Sequence, residues 1–247
     1  MKVSIITVTY NSEAHLEQTI KSVIEQTYKD IEYIIIDGGS TDNTKKIIEK
    51  YHPNITRFIS EKDSGIYDAL NKGLEMASGD IIGILHSDDF YEHERVIEHV
   101  VASFKQNKAD ALYANLYYVD AGNTKKIIRK WNSGIYQSNS FKFGWMPPHP
   151  TFFVRKNVYE RLGKFNLNFK TSADYELMLR FIHKHHIKLA YLNEYIVRMR
   201  VGGQSNASFN NRILANMEDR KAWELNQLKP FFFTLWLKPL RKITQFF

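Results

Sequence analysis

Residues 80–89 read Asp80-Ile-Ile-Gly-Ile-Leu-His-Ser-Asp-Asp89. A short apolar run bounded by polar residues predicts a buried strand, and a carboxylate pair at its end is not there for packing. Adjacent acids repel, and burying either without a partner is costly. A divalent cation removes both problems, because Mg²⁺ and Mn²⁺ prefer carboxylate oxygens together with those of a bound phosphate. The segment therefore points to a metal-bridged diphosphate at the end of a sheet strand.

Outward from this strand, the first half of the chain alternates two periods. Residues 3–8 and 32–36 are rich in β-branched side chains and bounded by turn residues; 55–59 and 81–85 read as further strands. Between them, Leu16, Ile20, Val23 and Ile24 recur at helical spacing, and 44–51 reads as a second helix. In 66–77, Ile66, Ala69, Leu70, Gly73, Leu74 and Ala77 form one apolar stripe, and another helix is expected near 96–105. Such alternation predicts an α/β fold with a mostly parallel, Rossmann-like central sheet and helices on both faces. Ligands of such sheets bind at the carboxyl ends of the strands.

The second half is less regular. Strands are expected at 109–119, 126–131, 151–154, 187–192 and 195–201, and helices at 174–184 and 211–226. Residues 133–140 read as loop and 144–150 as a Pro-rich turn. With no internal repeat and no clear linker, the expectation is one domain over 1–227 and a short C-terminal appendage over 228–247.

At 247 residues the chain can bury one substantial core. A formal charge of +7 favours polyanionic partners, among them nucleic acid, anionic lipid and phosphorylated small molecules. Without zinc-finger spacing or an arginine-rich tract, no nucleic-acid partner is expected. The absence of cysteine excludes disulfides, zinc thiolates and thiol catalysis, and fits a reducing, cytoplasmic setting. The chain enters its first strand almost at once, so no signal peptide is expected, and no apolar run approaches the ~20 residues of a membrane span.

Four strand ends carry polar groups: Thr9-Tyr10-Asn11, Asp37-Gly-Gly-Ser-Thr-Asp42, Glu61-Lys-Asp63-Ser-Gly65 and His86-Ser-Asp88-Asp89. Right-handed crossovers bring all four to one edge of the sheet. A single polar strand end is often only a turn or a cap, but four facing one crevice read as a site.

With these motifs in view, the chain resembles the inverting glycosyltransferases of family 2, which have the GT-A fold, and bacterial surface-polysaccharide enzymes of the colanic acid and O-antigen type within it. The matching strings are Val-Ser-Ile-Ile-Thr-Val-Thr-Tyr-Asn11, Ile-Ile-Ile-Asp37-Gly-Gly-Ser-Thr-Asp42, Ser-Gly65-Ile-Tyr-Asp68-Ala-Leu-Asn71-Lys-Gly73, Ser87-Asp88-Asp89 and Ala-Asp174-Tyr-Glu176. They cover about residues 1–205 and are densest up to Phe90. The resemblance implies transfer of a sugar from a nucleotide diphosphate, UDP favoured, to an acceptor hydroxyl with inversion, assisted by Mg²⁺ or Mn²⁺.

The resemblance also assigns roles. Asp37 is expected to accept the N–H of a uracil ring, with Thr9, Tyr10 and Asn11 around the same nucleoside; the bland reading is a turn aspartate. Asp42 reads as a cap for the helix at 44. Asp63, Gly65, Asp68 and Asn71 are expected along the donor, on the opening turns of a helix whose free N–H groups suit phosphate or ribose oxygens; Asp68 and Asn71 read equally as solvated positions. Asp89 is the expected metal ligand and Asp88 its ribose-side neighbour, while Ser87 stands where the fuller motif has a third acid. Asp174 is the expected base, with Ala173 where the family commonly has Glu, that role being missing or taken by Glu176. An aspartate at a helix N-terminus is also a plain N-cap. His149 touches acceptor or diphosphate, or packs in its Pro-rich loop; His86 reads as a loop histidine. Arg198, Arg200, Gly202, Gly203 and Ser205 suggest a basic flap over the diphosphate, against the reading of a surface loop.

The tail, from Pro230 to Phe247, is aromatic and basic with no acid. It suits an anionic membrane surface, with Lys238, Arg241 and Lys242 among the headgroups; the alternative is a helix docked on the domain. A peripheral place on the inner face of the cell membrane and a lipid-linked saccharide acceptor are expected by analogy. Competing readings are a nucleotidyltransferase, recognised by pyrophosphate release, and a non-catalytic nucleotide-sugar sensor or membrane adaptor. No Gly-x-Gly-x-x-Gly or P-loop follows the first strand, which weighs against dinucleotide chemistry.

Overall fold

The computed structural model describes residues 1–202, 209–241 and 245. Nine strands form one mixed sheet: β1 Val3–Thr9, β2 Ile31–Asp37, β3 Arg57–Ser60, β4 Ile81–Ile84, β5 Phe90–Tyr91, β6 Ala111–Val119, β7 Ile127–Trp131, β8 Phe153–Arg155 and β9 Leu189–Arg200. The order is β3-β2-β1-β4-β8-β6-β9-β5, with β7 on β6. The helices are α1 Leu16–Ile24, α2 Thr44–Lys50, α3 Ile66–Met76, α4 Val96–Asn107, α5 Lys156–Leu162, α6 Ala173–Met178, α7 Phe209–Leu225 and α8 Thr234–Leu240.

The N-terminal half folds as its periodicity predicts. β3, β2, β1 and β4 are mutually parallel, and β1 is buried along its whole length. Alternate residues serve opposite faces. Val3 and Ile5 pack with Leu16, Ile20 and Val23 of α1 and Val100 and Phe104 of α4. Ile6 and Val8 pack with Ala69, Leu70 and Leu74 of α3 and with the aromatic layer of α6 and α7. Gly73 is the closest approach of α3 to the sheet: a Cβ there would lie 2.5 Å from Ile6 Cγ2.

The second half departs from a mostly parallel sheet. β8 enters antiparallel between β4 and β6, pairing Ile82 with Val154 and Leu112 with Phe153. The strands expected at 187–192 and 195–201 are one strand, β9. Its pairing with β6 passes from Ala114↔Leu192 to Asn115↔Tyr195, so Asn193 and Glu194 bulge out. β5 and α5 were not expected, while α8 is a helix within the C-terminal appendage. The helix expected over 174–184 is α6 followed by π-helical turns over Leu179–Lys184.

The tail from Leu228 is packed against the domain through α8. Thr234 Oγ1 donates to Lys142 O at 2.6 Å, Leu235 is buried, and Lys238 Nζ lies 2.6 Å from Asp219 Oδ2. Lys238, expected among lipid headgroups, is therefore held by a buried carboxylate. Phe232 is 92% exposed, Trp236 74% and Leu240 55%. No helix among the described residues is long and apolar enough to cross a membrane.

Candidate functional site

The ends of β1, β2 and β4 are tied together by their own loops. Asn11, at φ 48°, receives Thr41 N on Oδ1 at 2.9 Å and gives its own N–H to Ser40 Oγ at 2.8 Å. Ser12 Oγ meets Ser87 Oγ at 2.9 Å, and Thr19 Oγ1 donates to the carbonyls of Ser87 and Asp89 at 2.9 and 2.7 Å. Asp42 accepts from Thr44 N at 2.9 Å and Glu13 N at 3.1 Å, the local capping role expected of it. Thr9 is buried, and its Oγ1 has no hydrogen-bond partner among the described residues.

Two expected donor contacts turn inward instead. Asp37 is fully buried, accepting from Ser40 N at 3.0 Å, Ser60 Oγ at 2.6 Å and Ser40 Oγ. It closes the Gly38-Gly39 turn, and its carboxylate is not presented to a base. Asn71 exchanges hydrogen bonds with the backbone of Phe165, at 2.9 and 3.0 Å, and so pins α3 to the second half of the chain.

A half-buried acceptor near the β2 turn is Asp63. Its Oδ1 takes the Gly65 N–H at 2.9 Å, while Oδ2 lies 2.5 Å from where a Cβ of residue 38 would be. Tyr10, whose side chain is 57% exposed, flanks the same point. Gly38 thus leaves room for a carboxylate from the loop after β3. Gly65 sits at φ 118°, open to a residue without a side chain, and Asp68 accepts Ser64 N at 3.0 Å with Lys72 3.6 Å away.

The acid pair is unequal. Asp88 is half-buried. Asp89 is fully buried, and neither carboxylate oxygen has a hydrogen-bond partner among the described residues. Burial, reinforced by the charge of Asp88, holds its pKa well above the usual carboxylate range. Arg200 lies beneath the pair, nearly buried, donating to Asp88 O and Gln18 Oε1 with its guanidinium 5.0 Å from the Phe90 ring centroid. It is a buttress here, not the outer flap expected of it. Arg198 pairs with Glu92 and also bonds Thr124 O. Gly203 and Ser205 lie outside the described residues. A buried carboxylate with two orphaned oxygens beside a second carboxylate is a donor set that fits a hard divalent cation.

Asp174 stands in the first turn of α6, with Tyr67 OH donating to Oδ1 at 3.3 Å and His149 Nδ1 3.4 Å from Oδ2. The His149 ring meets His86 edge-on, centroids 5.2 Å apart. His86, read from sequence as a plain loop residue, thus joins the acid-pair loop to the Asp174 neighbourhood. Glu176 does not stand in for the missing neighbour of Asp174. It is buried, 2.9 Å from Arg180 Nε, and accepts from Asn226. Tyr67 was missed, although it lies inside the quoted Gly65-to-Gly73 motif.

Residues 4–172 match the family model described as glycosyl transferase family 2. A glycosyltransferase of Mycobacterium tuberculosis, itself described as uncharacterized, is 31% identical over 180 residues, 72% of this chain and 68% of that protein. The PGL/p-HBAD biosynthesis glycosyltransferase of the same species is 28% identical over 227 residues, 87% of this chain and 83% of that one. Among solved structures, a TarS fragment from S. aureus in complex with UDP-GlcNAc has a TM-score of 0.71 at 18% identity, over 92% of this chain and 65% of that one. The chain spans 41% of a longer TarS structure. The mannosyltransferase PcManGT from Pyrobaculum calidifontis, in complex with GDP-Man and Mn²⁺, gives 0.68 at 16% identity, over 96% and 72%. At such identities the solved structures speak to the fold alone, which is GT-A.

Proposed function

Since the chain belongs to glycosyl transferase family 2 and is a glycosyltransferase, we propose that it moves a sugar from a UDP-linked donor to a hydroxyl of a lipid-linked saccharide, with inversion. The observation that carries this reading is that the loop between β4 and β5, which holds the orphaned buried carboxylate of Asp89, reaches Asp174 in the first turn of α6 through the His86 and His149 rings.

Asp63 and Tyr10 take the place first given to Asp37 for the base. Asp63 has one oxygen committed to Gly65 N and one open, which suits the single ring N–H of uracil; guanine offers a pair of donors. The Tyr10 ring offers a stacking face. The structural neighbours hold both UDP-GlcNAc and GDP-Man, so the base preference rests on this chain's own residues.

Asp174 acts as base, removing the acceptor hydroxyl proton as that oxygen attacks the anomeric carbon. The nucleotide diphosphate leaves from the opposite face. Asp89 would hold Mg²⁺ or Mn²⁺, which offsets charge on the leaving diphosphate. Asp88 orients the ribose side, and Arg200 supports the acid-pair loop from below. Holding both substrates in one crevice removes much of the entropic barrier.

We also assign the segment 228–247 to an anionic membrane surface, in a form changed by the docking of α8. Lys238 serves the fold, and the outward group is Phe232, Trp236 and Leu240.

The test is a screen of nucleotide sugars for metal-dependent nucleoside diphosphate release, with the variants Asp174→Asn and Asp89→Ala. UDP release from UDP-sugars, abolished in both variants, is expected. Full transfer by Asp174→Asn would remove the base from this scheme, and release of pyrophosphate would remove the reaction class.

A further inference from the structure

A base that takes a proton must also lose it before the next turnover. Asp174 is three-quarters covered, and its two side-chain neighbours differ in what they can do with a proton. Tyr67, its pKa pushed far up by burial and by the charge of Asp174, stays a phenol and only donates. His149 is an imidazole whose pKa is lowered by burial, against the opposing charges of Asp174 and Asp88, so it is neutral and ready to accept at neutral pH.

His149 is also fixed in place. It lies in Pro147-Pro148-His149-Pro150, and the adjoining Thr151 Oγ1 bonds the carbonyls of Ala114 and Pro148, each at 3.0 Å. The His86 ring stands against it at 65°. The 3.4 Å from Nδ1 to Asp174 Oδ2 is long for a hydrogen bond, as contacts in a free enzyme often are before substrate tightens them.

We propose that His149 takes from Asp174 the proton that Asp174 removes from the acceptor hydroxyl, so that the two residues form a relay. This rests on the reading of Asp174 as the base. The balance is simple. The acceptor O–H bond breaks and an O–H bond forms on Asp174 Oδ2, while the acceptor oxygen's electron pair makes the new glycosidic bond. The proton then passes to His149 Nδ1, restoring the carboxylate. The imidazolium gives its Nε2 proton to water, and exchange with solvent returns the ring to the Nε2–H tautomer, freeing Nδ1 for the next turnover. His149 acts through Asp174 and touches no reacting atom itself.

The test uses His149→Asn and His149→Ala beside Asp174→Asn. Asparagine keeps a hydrogen-bonding group near the Nδ1 position but cannot carry a proton. His149→Asn is expected to melt like the wild type and to lose kcat on the order of 10²-fold, with donor KM changed less than about twofold. Added imidazole is expected to restore kcat to His149→Ala in proportion to its concentration. Wild-type kcat in His149→Asn, or a loss confined to KM, overturns the relay. Transfer activity retained by Asp174→Asn overturns the base reading itself, a separate result from an inactive Asp174→Asn with a fully active His149→Asn.

Discussion

A carboxylate sealed from water with no hydrogen-bond partner within bonding distance among the described residues opposes folding once it is charged, and Asp89 is such a group, its burial outweighing the backbone N–H and charge of Arg200 nearby. Its folded pKa is raised by burial and by Asp88, so the unfolded chain ionises first. Stability therefore falls as pH rises from the ordinary aspartate value of about 3.9 toward the raised one, and stays lower above it. Asp89→Asn removes the charge while keeping the shape. At pH 7 without metal it is expected to unfold at higher urea than the wild type, by roughly 1–3 kcal/mol, while losing transfer activity. Mn²⁺ should raise the melting temperature of the wild type and not of the variant. A variant less stable than the wild type in chelator would sink this account. Asp88 and Asp89 stand out in the sequence because acids after an apolar run have few structural uses, whereas Asp174 follows Lys-Thr-Ser-Ala and stands out only through the family resemblance. Asp37 at a strand end and Asn71 inside α3 drew donor roles because a polar side chain looks the same in sequence whether it faces a ligand, closes its own turn or holds a neighbouring segment. Tyr67 and His86 were illegible in their roles, since only the tertiary fold brings them to Asp174.

Among the elements, β4 is the one on which both halves meet. It pairs in parallel with β1 and antiparallel with β8, and Gly83 leaves the space that the Phe153 ring fills. A Cβ at residue 83 would fall well inside contact with that buried ring, with Ile5 Cδ1 also close, at 3.1 Å. Gly83→Ala is expected to cost about 1–3 kcal/mol through overpacking, read as a lower urea midpoint with unchanged slope. A midpoint equal to the wild type's would mean that the ring moves aside freely. The parallel strands and their helices could be read from sequence because their periods are sustained. β5, two residues long, is too short to show a period, and the β9 bulge hides one strand as two. Buried Glu32 was equally unreadable. Burial alone would raise its pKa, but hydrogen bonds from Ser4, Ser78 and Lys2 outweigh that and hold it at about 2.

For the molecule as a whole, the aromatic group on the docked tail is the feature that the catalytic crevice does not use. Phe232→Ser with Trp236→Ser is expected to leave the melting temperature unchanged, since both side chains are largely exposed. The same change should abolish flotation with vesicles containing phosphatidylglycerol, which the wild type should show more strongly than with phosphatidylcholine alone. A wild-type chain that floats with neither kind of vesicle would leave the tail as a structural strap only.

The insertion of β8 beside β4 also bears on how the chain is made. On a ribosome, β1 to β4 and their helices emerge first and can pair at once. The free edge of β4 then waits for Phe153–Arg155. At about 5–20 residues per second this interval lasts on the order of several seconds. During it a nascent chain carries an uncapped, wholly apolar strand, Ile81–Ile84, open to pairing with a neighbouring chain. Yield in the cell would then depend on chaperone occupancy during that interval as well as on the stability of the finished protein.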